Sequence, residues 1–137
     1  MDGLNVSKMA KCCCGQLALE INGVPKLHGV CNCANCKRRT GSAFGISIYH
    51  LKADVKRVVG ESNVYKFHNS HKNHDQERHF CIDCGTTLFW YVSDMPEYIG
   101  IAGGCFDDVK TNFPKFSASH SNICDWLAFS CELKKLV

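Results

Sequence analysis

Cys31-Asn32-Cys33-Ala34-Asn35-Cys36, followed at once by Lys37-Arg38-Arg39-Thr40-Gly41-Ser42, packs three sulfurs into six residues. A C-x-C step in extended chain turns both side chains to one face, and the following x-x-C turn brings a third sulfur round to the same point. A soft metal ion is the natural occupant. Structural zinc is normally closed by four protein ligands, whereas catalytic zinc keeps three and leaves the fourth position for water or substrate. The stretch therefore reads as an open site, with Cys31, Cys33 and Cys36 as the ligands of a catalytic zinc.

A second cluster, Cys81-Ile82-Asp83-Cys84-Gly85, is a C-x-x-C turn closed by glycine. Two turn sulfurs converge on one tetrahedral ion, and glycine supplies the backbone freedom that the tight loop needs. Alone it offers two ligands. The simplest completion is Cys12 and Cys14 of Lys11-Cys12-Cys13-Cys14-Gly15, whose i and i+2 sulfurs share a face if this segment is a strand. Cys12, Cys14, Cys81 and Cys84 then make a closed four-sulfur site, although ligands from different knuckles could also interleave. Cys13, Cys105, Cys124 and Cys131 lack such spacing and read as core or incidental thiols, any one of which could complete the open site.

Eleven cysteines in 137 residues are the outlier of an otherwise ordinary globular composition, with 45% hydrophobic and 21% charged residues. The length suits a single domain over residues 1–137 whose modest core gains from metal staples. The segment from Met1 to Lys8 has no continuous apolar run, so neither a signal peptide nor a membrane span is expected, and a cytoplasmic location follows. In that compartment thiols stay reduced, and clustered cysteines bind metal or act chemically. The odd count also opposes a fully paired disulfide framework. A formal net charge of +3 is too small to imply nucleic acid by itself.

The rest of the chain reads as short strands separated by Gly, Asn, Asp or Ser. Leu17, Leu19 and Ile21 alternate with Ala18 and Glu20, giving a strand over 12–21 with 26–31 as its hairpin partner. Residues 35–39 fit one helical turn stopped by Gly41. Phe44, Ile46 and Ile48 begin another strand, and further strands are expected over 55–59, 64–67, 78–81, 88–92 and 98–102. A closing strand is expected between Ile123 and Val137, because Leu127, Phe129 and Cys131 alternate with Ala128 and Ser130. The fold class is all-β with little helix. His68, His71 and His74 fall in a polar stretch that reads as an exposed loop, while His28, His50, His79 and His120 read as surface or hydrogen-bonded residues.

Three motifs in order, Cys12-Cys13-Cys14-Gly15, the segment from Cys31 to Phe44, and Arg78-His79-Phe80-Cys81-Ile82-Asp83-Cys84-Gly85-Thr86-Thr87-Leu88, resemble the glutathione-dependent formaldehyde-activating enzyme family. That family also includes the domain of centromere protein V. The resemblance runs from Cys12 to about Trp126. It implies a tent-like zinc-binding fold of short antiparallel sheets. It also implies a structural zinc on Cys12, Cys14, Cys81 and Cys84, a catalytic zinc on Cys31, Cys33 and Cys36, and carbon-sulfur lyase chemistry on glutathione or a glutathione adduct. Gly103-Gly104-Cys105-Phe106-Asp107-Asp108 departs from the family's Gly-Thr-Leu-Asp-Asp segment.

An open zinc with three thiolates favours a fourth thiolate, that of glutathione, which adds to an aldehyde to give an S-hydroxymethyl adduct; the reverse reaction cleaves the carbon-sulfur bond. Arg38 or Arg39 is placed to pair with a glutathione carboxylate, and Thr40 and Ser42 are candidate donors to the substrate. Glu77, Asp107 and Asp108 are the carboxylates considered as acid or base. The rival reading is a non-catalytic zinc-binding interaction module similar to the centromere protein V domain. A binder of nucleic acid would carry a basic extension, and the sequence has none.

Overall fold

A computed structural model describes residues 7–137. The start of the amino-terminal segment read above for an apolar run, residues 1–6, lies outside the described part. Alternating apolar residues and frequent turn residues produce strands β1 (Ser7–Lys11), β2 (Ala18–Asn22), β3 (Leu27–Cys31), β4 (Gly45–Leu51), β5 (Val55–Val59), β6 (Ser62–Asn69), β7 (His74–Cys81), β8 (Thr87–Val92), β9 (Tyr98–Ala102), β10 (Phe116–Ala118) and β11 (Lys134–Lys135). The single α-helix among the described residues, α1 (Ala34–Thr40), ends at Gly41, whose φ of 61° is the left-handed conformation that glycine adopts without strain. The mainly β class is as expected.

The strands form two sheets, β1-β2-β5 and β11-β10-β3-β4-β9-β8-β7-β6. Leu19 and Ile21 on β2, with Leu17 just before it, pack against Ile48, Leu88, Phe89, Ile99 and Ile101 of the large sheet. All of these are buried, each contributing about 1.5–3 kcal/mol of transfer free energy. A bridge between Ala10 and Phe106 links β1 to the segment after β9.

The register of the large sheet sorts its residues onto two faces. The pairs Ile48 with Ile101, His50 with Ile99 and Phe89 with Ile101 look toward the small sheet. The opposite face carries Cys31 beside Gly45, Tyr49 and Trp90 each beside Gly100, Arg78 beside Trp90, and Tyr65 beside Arg78. This second face is where the three-cysteine segment lies.

Several expectations are corrected. Residues 26–31 are not the hairpin partner of the 12–21 segment, because β2 pairs with β1 and β5 while β3 pairs with β4 and β10. Residues 12–17 form a turn and only 18–22 are strand, so Cys12 and Cys14 converge from a loop and not from a strand face. The sheets are not wholly antiparallel, since β10 runs parallel to both β3 and β11. The closing strand shrinks to Lys134–Lys135. Leu127, Phe129, Cys131 and Leu133 are half-buried and alternate with exposed Ala128, Ser130 and Glu132, and Phe129 packs edge-on against Phe44 with centroids 5.1 Å apart, but among the described residues no neighbouring strand completes a ladder there. His28 and His50 are buried, not surface residues, and His50 Nδ1 has no hydrogen-bond partner. Burial holds the His50 pKa down at about 4. The histidine-rich stretch is the end of the β6–β7 hairpin, with His68 bonded to Asp75 and His74 partly buried. No helix among the described residues is long and apolar enough to cross a membrane.

Gly100 tests this packing, because a Cβ there would sit 2.1 Å from Trp90 Nε1. Gly100→Ala should therefore cost about 1–3 kcal/mol through overpacking, read by urea unfolding. An unchanged unfolding midpoint would show that Trp90 does not lie on the glycine.

Candidate functional site

Two knuckles of the same local design meet at the first cluster. In one, Cys12 N–H donates to Leu17 O, Gly15 N–H to Cys12 O, and Leu17 N–H to Cys12 Sγ at 3.3 Å. In the other, Cys81 N–H donates to Thr86 O, Gly85 N–H to Cys81 O, and the Asp83 and Cys84 amides to Cys81 Sγ. Gly15 and Gly85 take φ of 83° and 79°, which lets each turn close. Gln16 Nε2 adds a 3.0 Å bond to Cys81 Sγ. The sulfurs of Cys12, Cys14, Cys81 and Cys84 all lie within 4.8 Å of one another.

The spacing fits a metal ion. A tetrahedron with metal–sulfur arms of about 2.3 Å has edges of about 3.8 Å. Cys12 Sγ to Cys14 Sγ and Cys14 Sγ to Cys81 Sγ are both 3.7 Å. The all-sulfur donor set, with amides donating to two of its sulfurs, is the chemistry of a zinc knuckle. Without an ion the four thiols are unequal. Bonds from the Thr86 hydroxyl and the Thr86 and Cys14 amides lower Cys84 to about 5. Against the pull of the Gln16 amide, lost solvation and the Cys12, Cys81 and Cys84 sulfurs push Cys14 up to about 12.

The second cluster gathers Cys31 from the end of β3, Cys33 from the cap of α1 and Cys36 from its first turn, again with sulfurs within 4.8 Å. Cys33 Sγ accepts the Cys36 N–H at 3.3 Å. Three sulfurs this close cannot all carry charge unaided. Hydrogen bonds from Cys31 and Cys36 lower Cys33 to about 2, while those same neighbours, Cys31 first, push Cys36 up. A divalent cation removes that conflict, and three thiolates fit zinc with one position left open.

Around this cluster the sheet face and α1 enclose a cleft. Its inner chamber, about 210 Å³, is walled by the three cysteines with Arg39, Tyr49, Arg78 and Trp90. An outer chamber of about 590 Å³ continues past Cys33 and Arg78 to Arg38, Tyr65, Phe67, His68 and Lys72. The Arg39 guanidinium carbon lies over the Trp90 ring, 4.5 Å from its centroid, and Gly45 makes room for it, since a Cβ there would meet Arg39 Nη2 at 2.5 Å. Arg78 bonds Asn35 Oδ1 and covers the Phe67 ring. Burial, then the nearby Arg39, lowers the Arg78 pKa.

Among the described residues no carboxylate lies within ion-pair distance of Arg38, Arg39, Lys72 or Arg78. Asp94 lines the inner chamber but lies 3.1 Å from His74 Nδ1. Apart from its sulfurs and Asp94, the charged groups of the cleft are cations, which suits it to an anion.

Of the residues expected here, the three cysteines, Arg38 and Arg39 come together. Thr40 and Ser42 instead line a separate depression at the far end of α1, beside Gly85 and Thr86. Thr40 Oγ1 is taken up there by the carbonyls of Cys36, Lys37 and Phe44. Glu77 bonds His79, and Asp108 pairs with Lys8, so neither faces the cleft. The sequence reading passes over Arg78, Trp90, Tyr49 and Tyr65 as functional residues. Strand parity places Arg78 on one face of β7, but only the pairing of β7 with β6 and β8 shows which face is the site.

The glutathione-dependent formaldehyde-activating enzyme model matches residues 7–122. None of the curated proteins matches. Among solved structures, a Rhodobacter sphaeroides protein from a structural genomics programme is similar, with a TM-score of 0.56 and 22% identity over 72% of this chain and 87% of its own. That likeness supports the fold.

In metal-free protein at about pH 6, alkylation should mark Cys84 and Cys33 ahead of Cys14 and Cys36, because a lowered pKa leaves thiolate at that pH and a raised one keeps the thiol. Peptide mapping by mass spectrometry reads the order. Equal labelling of all four, or Cys14 labelled first, would contradict the assigned hydrogen bonds.

Proposed function

The chain belongs to the glutathione-dependent formaldehyde-activating enzyme family, and from that premise we propose that it is a zinc-dependent carbon-sulfur lyase acting on glutathione adducts, similar to an S-hydroxymethylglutathione synthase. The observation that carries this reading is a three-sulfur cluster lining a cleft whose cations, Arg38, Arg39, Lys72 and Arg78, have no carboxylate partner among the described residues. A purely structural pair of sites has no need of such a cleft. The non-catalytic module is therefore the weaker alternative.

Cys12, Cys14, Cys81 and Cys84 would hold a structural zinc, and Cys31, Cys33 and Cys36 a catalytic one. Bound at the second set, zinc supplies a Lewis-acidic position that favours the thiolate of glutathione at neutral pH. The chain's own groups do the rest. Arg38, exposed at the outer chamber, and Arg39, fixed on Trp90, receive carboxylates of the tripeptide. Tyr49 and Trp90, joined by a 3.1 Å bond from Trp90 Nε1 to the Tyr49 hydroxyl, wall the inner chamber and limit water there. In the synthetic direction the sulfur lone pair attacks the aldehyde carbon, a carbon-sulfur bond forms as the carbonyl π bond breaks, and the oxygen that receives that pair takes up the proton the thiol gave up. In the reverse direction that bond breaks and the hydroxyl proton leaves. Among the described residues Asp94 is the one carboxylate in the inner wall, 3.1 Å from His74 Nδ1.

Two variants separate the sites. Cys84→Ser should lower zinc content and melting temperature together, because metal binding at a four-ligand site is folding free energy. Cys33→Ser should keep the fold and one zinc but lose turnover of glutathione adducts. A Cys33→Ser protein that unfolds as badly as Cys84→Ser, or remains fully active, would overturn the division of roles.

Arg38→Ala should weaken glutathione binding by about 1.5–3 kcal/mol with zinc content unaltered, as expected for one charge-assisted contact. Calorimetry showing unaltered affinity would remove Arg38 from the carboxylate site.

A further inference from the structure

The outer chamber is larger and chemically different from what a tripeptide thiol and a one-carbon unit require. Glutathione has two carboxylates and no ring. Yet beyond the cationic side chains the wall is an aromatic ladder: Arg78 lies 4.7 Å over Phe67, and Phe67 stacks on Tyr65 with centroids 5.0 Å apart and planes 15° from parallel. Tyr65 ends the ladder with 53% of its surface exposed. Residues 65 and 67 share one face of β6 because side chains alternate along a strand, and the register puts Arg78 directly opposite Tyr65. The ladder therefore runs outward from the mouth of the inner chamber. The chamber beside it, about 590 Å³, falls in the range of about 300–1,000 Å³ that holds drug-sized ligands.

A bare pair of stacked rings at a strand edge is often no more than local packing. Here the pair also lines a cleft that reaches the three-cysteine cluster, and its inner end carries a guanidinium with no carboxylate partner among the described residues. A planar π-system has a face to offer Tyr65, and the chamber that Tyr65 lines is also lined by Cys33 of the three-cysteine cluster.

We propose that the cleft recognises glutathione conjugates whose electrophilic portion is a planar aromatic group, stacked on the exposed face of Tyr65. The assignment rests on the thiol-binding reading of the Cys31, Cys33 and Cys36 site. It makes Tyr65 a specificity-determining residue, with Phe67 and Arg78 holding its ring in place.

The test is calorimetry on the zinc-loaded full chain with glutathione, S-methylglutathione and S-benzylglutathione, whose thioethers do not turn over by the proposed reaction. S-benzylglutathione should bind about tenfold tighter than S-methylglutathione, the gain expected from stacking plus apolar burial. Tyr65→Ala should collapse that ratio to near unity, and Tyr65→Phe should retain it. Equal affinities for the two conjugates in the native protein, or equal weakening of both by Tyr65→Ala, would overturn the aromatic assignment while glutathione binding still stood. A zinc-loaded protein that binds neither conjugate nor glutathione would refute the thiol-binding reading itself, and this proposal with it.

Discussion

The convergence of Cys12 and Cys14 with Cys81 and Cys84 is the constraint on which the rest of the structure depends. Cys12 follows the strand that begins the small sheet, and Cys81 ends β7 in the large one, so the cluster joins both sheets at one point. Cys12 and Cys81 are buried and belong to the same apolar core as Leu17, Leu19 and Ile101. Their partners Cys14 and Cys84 are exposed. Four thiols within 4.8 Å of one another offer little stability by themselves, since ionising one opposes ionising the next. An ion at their centre would turn that mutual repulsion into a cross-link between chain segments far apart in sequence, in a domain whose core is modest.

Fixing β7 has a second effect. With Cys81 held at one end, the strand carries Arg78 onto the same sheet face as Trp90 and Tyr65, and so to the edge of the three-cysteine cluster. Glycines complete the arrangement by what they lack. Gly100 lets the Trp90 ring lie against the sheet, and Gly45 admits the Arg39 guanidinium that rests on that ring. The two cysteine clusters are thus coupled through strand register. A change at the first cluster should be felt as misplacement of a cation and a ring at the second.

Much of this was legible in the residues because it is local. C-x-C and C-x-x-C spacings draw sulfurs together whatever surrounds them, and both ligand sets expected from sequence are gathered in space. Short apolar runs separated by turn residues gave β5 and β9 their full extents, and Gly41 marked the end of α1. Pairing was not local. Leu17, Leu19 and Ile21 announce a strand equally well whether its neighbour is β3 or β5, and the nearer segment in sequence proved not to be the partner. Lys8 to Lys11 and Phe116 to Ala118 are too short or too mixed in polarity to stand out. The segment from Leu127 to Leu133 alternates as a strand does, but hydrogen bonding needs a partner that the fold does not provide. Thr40 and Ser42 were adjacent to the cysteines in sequence, and the helix carried them to its other end. Arg78, distant in sequence, came into the cleft.

The central claim is that three sulfurs hold a metal whose fourth position accepts the sulfur of glutathione. Zinc K-edge absorption spectroscopy on protein loaded at both sites counts those ligands directly. The mean should be about three and a half sulfurs per zinc, at about 2.3 Å, in the absence of glutathione, rising to about four when it is added. A count of four before addition would mean that both sites are closed. A count that stays below four with saturating glutathione would mean that the tripeptide's sulfur does not reach the metal.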